Sequence, residues 1–151
     1  LGDFVRNGGS VLAFNGASAA VAEGLKLPVK NVLAGVRNTD FYAPGSILAI
    51  DLDRSSPLAR GVTTAVPAVW FENGPAFEIS DSTQAVAVAR YPASGNPLLS
   101  GWLLGGSKLN GKAAMVDATL GKGHVVLYGF RPQYRGQSMA TYPLIWGALA
   151  R

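Results

Sequence analysis

An apolar run, Val11 to Phe14, ends on Asn15-Gly16 and gives way at once to small, helix-favouring residues through Leu25. A strand that turns sharply into a helix is where open α/β sheets place ligands and nucleophiles, so Asn15, at the bend, is the first candidate for chemistry. Its amide cannot act as a nucleophile, but it can donate and accept hydrogen bonds. Ser18 brings a hydroxyl three residues further on. Near the other end of the chain, Arg131, Tyr134 and Arg135 form the densest polar group beside an expected strand end. Arginines so placed hold a carboxylate or phosphate through paired N–H groups, although a structural ion pair is the commoner role.

The remaining candidates are weaker. ILAIDLD, Ile47 to Asp53, reads as one half-exposed strand that puts Asp51 and Asp53 on the same face. Two carboxylates so spaced suit a metal ion or acid–base pair, but solvent-facing strand carboxylates are far commoner. His124 is the sole histidine, so a zinc site built from two or three histidines cannot be assembled, and neither can a Ser-His-Asp set. It reads as a strand-edge residue. GSKLNGKA, Gly106 to Ala113, imitates a phosphate loop but has Ala113 where a magnesium-binding hydroxyl belongs, and it runs into a strand instead of a helix. Trp70, Phe71, Trp102 and Trp146 each lie in an apolar segment, which points to core packing and not to a stacking platform.

These residues need elements to position them. Asp3 to Asn7 reads as the end of a helix, with Gly8-Gly9 supplying the left-handed stop. Val11 to Phe14 reads as a strand covered on both faces, and Ala17 to Leu25 as the following helix, with Pro28 closing that region. From Asn31 to Asp81, short apolar segments punctuated by proline and glycine read as strands and loops. Ala85 to Tyr91 and Ala113 to Leu120 are two further strands, separated by a loop from Pro92 to Gly101. Gly121 to Gly123 makes a tight turn into His124 to Phe130, a hairpin. After the loop RPQYRGQ, Thr141 caps a last helix with Pro143 in its first turn and a buried stripe of Tyr142, Ile145, Trp146 and Leu149.

The chain has 151 residues, suited to one domain spanning 1–151. Apolar residues at 48% against 15% charged argue against disorder. The net charge of +4 comes from singly scattered basic residues, without the clusters that bind nucleic acid or a membrane surface. The lack of cysteine excludes disulfides, thiolate metal sites and cysteine nucleophiles. No apolar run approaches the roughly 20 residues of a membrane span. An opening on Leu1-Gly2-Asp3 reads as a piece of a longer protein.

FVRNGGSVLAFNGAS resembles the helix, glycine pair and nucleophile strand of class I glutamine amidotransferase-like domains, and GKGHVVLYGFRPQ resembles their closing hairpin. The resemblance implies a catalytic cysteine at position 15 and a His-Pro-Glu at 131–133; this sequence has Asn15, Arg131, Pro132 and Gln133. All three catalytic positions are therefore replaced, and the domain is expected to be non-catalytic. The fold class expected is α/β: a partial flavodoxin-like, amidotransferase-like sheet with an inserted β-rich section at about 31–104. Asparagine tolerates positive φ, so the bend can persist without its chemistry.

NVLAG, FYAPGSIL, SPLARG, NPLLSGWLLG and VVLYGFRPQYRGQ together resemble the C-terminal domain that follows the catalytic domain of certain bacterial zinc carboxypeptidases. That resemblance implies an accessory role in stability, interdomain packing or substrate presentation. No cofactor belongs to this chain, the zinc being held by an upstream peptidase domain. The expected partners are that domain, or a missing N-terminal half of the fold, or another copy of the chain; the expected location is secreted or periplasmic. The alternative is a module binding an anionic or amide compound in the former active-site crevice, through Asn15, Ser18, Arg131, Gln133 and Arg135.

Overall fold

The computed structural model describes residues 1–136 and 138–150; Gln137, the last residue of the expected RPQYRGQ loop, lies outside them. Among these residues three α-helices, α1 (Gly2–Arg6), α2 (Gly16–Gly24) and α3 (Tyr142–Leu149), accompany ten strands. The strands are β1 (Ser10–Phe14), β2 (Val29–Asn31), β3 (Ser46–Ala49), β4 (Asp51–Leu52), β5 (Ala68–Phe71), β6 (Phe77–Ile79), β7 (Ala85–Arg90), β8 (Leu98–Ser100), β9 (Ala113–Leu120) and β10 (Gly123–Tyr128). Seven of them form one open sheet, and β5-β3-β8 form a second, three-stranded sheet. The fold class is α/β, as the sequence implies, with the elbow strand at one margin of the main sheet.

β9 is the centre of that sheet. Its residues Ala113 to Ala118 are all buried. The β10 hairpin pairs along one edge, β7 along the other, and β6 meets it at Phe77↔Ala113. β1 and β10 are the parallel pair, in register from Ser10↔His124 to Phe14↔Tyr128, and the other pairings are antiparallel. Residues of α1 and α2 pack on one face with Val125 and Leu127; the second core, around Tyr128, Met115 and Phe71, joins the opposite face to the small sheet and α3.

Five expectations need correction. The apolar run Val11 to Phe14 is covered on both faces only at Ala13, because β1 is an edge strand, with no partner beyond it among the described residues. Ile47 to Asp53 is not one strand: β3 belongs to the small sheet and β4 to the large one, and the break at Ile50 buries that side chain between them. The loop after Pro92 contains a short strand, β8, pairing with β3. Finally, α3 faces inward through Leu144 and Ala148, whereas Trp146 and Leu149 are 61% and 60% exposed. The reason is steric: Gly147 packs against the Leu58 backbone with no room for a Cβ, and Tyr128 Oη donates to Leu144 O at 2.8 Å, so the small-residue side docks. Thr141 stands at the N-cap, but its hydroxyl donates to Pro132 O at 2.6 Å and leaves the helix end uncapped.

Candidate functional site

The bend is a true elbow. Asn15 has φ 50° and ψ −132°, outside the regions that side-chain-bearing residues ordinarily occupy. Its backbone N–H reaches Tyr128 O at 2.8 Å and Phe130 O at 3.3 Å, fastening the bend to the end of β10. Asn15 Nδ2 donates to Glu72 O at 3.3 Å, and its Oδ1 is buried without a hydrogen-bond partner. Gly74 approaches so closely that a Cβ there would lie 2.0 Å from Gly129 O and 2.5 Å from Asn15 Oδ1. Only glycine fits that contact.

Glu72, at the end of β5, joins the two halves of the expected site. Its carbonyl takes the Asn15 amide, and its carboxylate lies 3.2 Å from Arg131 Nε. The approach to Arg131 is an ion pair without the direction of a hydrogen bond, so Nε is left as a buried donor lacking a directed acceptor. Gln133 and Arg135, both exposed, line a pocket of about 450 Å³ together with Glu72, Arg131 and Tyr134. Tyr134 stacks on Trp70 with centroids 4.1 Å apart and planes at 7°, and the Arg135 guanidinium lies 5.2 Å from the Tyr134 ring centre. Asn15 and Arg131 therefore meet through Glu72, with Gln133 and Arg135 in the adjoining pocket.

Ser18 departs from the ligand-binding expectation. It is fully buried, and both its N–H and its hydroxyl donate to Asn15 O, which makes it a brace for the elbow. Trp102 and Trp146 leave the expected core as well, at 64% and 61% exposed, while Phe71 is buried and Trp70 is partly covered by Tyr134.

Asp51 and Asp53 are both exposed, and no group of three metal-binding side chains occurs among the described residues. Asp53 caps a turn instead: bonds from the Ser55 hydroxyl and then the Ser55 N–H hold its carboxyl below the usual range. His124 Nδ1 lies 3.2 Å from Asp117 Oδ1, in a pair across the β9–β10 hairpin. Glu72 and Asp117 are the residues that sequence reasoning missed. The one signal for Glu72 was an acidic residue set between Trp70-Phe71 and the Asn73-Gly74 turn; for Asp117 it was the hairpin register, which places it diagonally across from His124.

No family model matches the chain, and no curated protein does. Among solved structures it is similar to a ThuA-like protein from Bacteroides uniformis, at 9% identity and a TM-score of 0.47. The match covers 97% of this chain and 59% of that one, so the chain spans less than two thirds of that protein's length.

Proposed function

We propose that the chain is a non-catalytic accessory domain in which an amidotransferase-type elbow is kept as architecture. The observation carrying this reading is the closed arrangement at Glu72. The side chains at the two ends of the former catalytic set, Asn15 and Arg131, are both engaged by that one residue while the backbone keeps the strained bend. An amide and a permanently charged guanidinium supply neither a nucleophile nor a base near neutral pH. The open edge of β1 fits a domain that docks on further structure: an upstream peptidase domain, the missing part of the fold or a second copy. A bacterial zinc carboxypeptidase as the parent, and with it a secreted or periplasmic location and zinc held outside this chain, rests on the sequence resemblance alone.

A second reading is favoured by the pocket beside Arg131. Gln133 and Arg135 are exposed there, and Arg135 has no ion pair among the described residues, so a small carboxylate or phosphate could take its guanidinium. Thermal melting separates the two. The architectural role predicts no shift with small carboxylates, phosphate or peptides, and a fall of about 2–4 °C for Arg131→Ala, the effect of about 1 kcal/mol at this size. A ligand-induced rise that disappears in Arg131→Ala would establish the binding module instead.

A further inference from the structure

Four Asn-Gly pairs occur in the chain, at Asn7, Asn15, Asn73 and Asn110. In such a pair the glycine backbone nitrogen can attack the asparagine side-chain carbonyl carbon and close a five-membered succinimide. Closure requires that nitrogen to eclipse the asparagine Cβ about the Cα–C bond. For a tetrahedral L-residue the eclipse falls at ψ of about −120°, away from the ordinary helix and strand regions. Asn15 stands at ψ −132°, whereas Asn7 is at 4° and Asn110 at 122°. The elbow therefore holds Asn15 close to the ring geometry, and Asn7 and Asn110 would have to rotate their backbones to reach it.

We propose that Asn15-Gly16 is a self-modification site, at which the elbow promotes succinimide closure and conversion of Asn15 to aspartate and isoaspartate. Three further features support the reaction. Gly16 is exposed and carries no side chain to hinder the attacking nitrogen. That nitrogen opens α2, where the N–H groups lack intrahelical acceptors and the helix dipole favours negative charge. Both Ser18 donors bond the Asn15 carbonyl, drawing electron density from the Asn15–Gly16 peptide and making its N–H more acidic. Rotation about Cα–Cβ, out of the long bond to Glu72 O, brings Cγ onto Gly16 N.

The chemistry is self-contained. Hydroxide removes the Gly16 amide proton, the N–Cγ bond forms, and the Cγ–Nδ2 bond breaks as ammonia leaves with a proton from water. Water entering from the open pocket beside Gly16, Asn73 and Gly74 then adds to the ring. Opening at Cγ gives aspartate, and opening at the main-chain carbonyl gives isoaspartate. The net change is one water consumed and one ammonia released, leaving a carboxylate at the elbow.

The test is to incubate the native protein at mildly alkaline pH, digest it and quantify acid and isoaspartyl forms at each Asn-Gly by mass spectrometry. Asn15 should convert about tenfold or more faster than Asn7 and Asn110, a gap that closes in denaturant. Gly16→Ala keeps the fold, since a Cβ there meets nothing within 4 Å and alanine suits a helix. It should suppress conversion at Asn15 and leave Asn7 and Asn110 unchanged. The proposal is overturned if Asn15 reacts no faster than those two in native protein, if Gly16→Ala leaves its rate undiminished, or if its advantage persists in denaturant.

Discussion

The two ends of β10 carry polar groups assembled in different ways. At its start, His124 pairs with Asp117 across a two-strand hairpin, seven residues apart in sequence. At its end, Asn15, Glu72 and Arg131 come together from three separate segments, Asn15 and Glu72 being 57 residues apart in sequence. The hairpin pair is local and follows from register; the elbow group exists only when the small sheet docks on the large one. The contrast teaches that the elbow group reports on tertiary assembly, whereas the His124 pair reports on one hairpin.

Substitutions can break that contrast. The largest effect is expected from Gly74→Ala, where a Cβ would collide with Gly129 O and Asn15 Oδ1. Denaturant unfolding should show a loss of about 3 kcal/mol or more, since backbone and elbow would both have to shift. Tyr128→Phe comes next. It removes the bond to Leu144 O that holds α3, a loss of about 1 kcal/mol at neutral pH.

The same tyrosine gives an alkaline signature. Burial first, then the Asp117 charge, raises the Tyr128 pKa above its ordinary 10.0. Its folded-state pKa is above the unfolded value, so its contribution is fully present below about pH 10 and is lost as pH rises further, because the unfolded chain ionises first. Stability measured against pH should therefore fall above about pH 10, and less steeply in Tyr128→Phe; identical slopes would refute the assignment. The smallest effect belongs to His124→Gln, about 1 kcal/mol or less by the same measurement, since that side chain is 32% exposed. A larger loss there than for Gly74→Ala would invert the comparison.

What the sequence showed follows the same division. The Ala113–Leu120 strand, the hairpin and the strand-to-helix bend are governed by local pattern and turn chemistry, and the positive φ of Asn15 follows from asparagine's tolerance of that region. The partner of Asn15 was not legible, because Glu72 reaches it only through β5 of the small sheet. The side of α3 that docks was misread for a related reason. Its apolar residues surround the helix, and the choice between Leu144–Ala148 and Trp146–Leu149 was made by the Gly147–Leu58 contact, which no periodicity reveals.

The central place of β9 also bears on how the molecule opens. With β10 and then β6 along one edge, β7 along the other and six consecutive buried residues, β9 cannot release its amide protons to solvent unless the whole sheet comes apart. β1, held among the described residues from one side only, frays without that cost. Hydrogen exchange should therefore run inward from Val11 and its neighbours, and the slowest amides, on β9, should report the free energy of global unfolding.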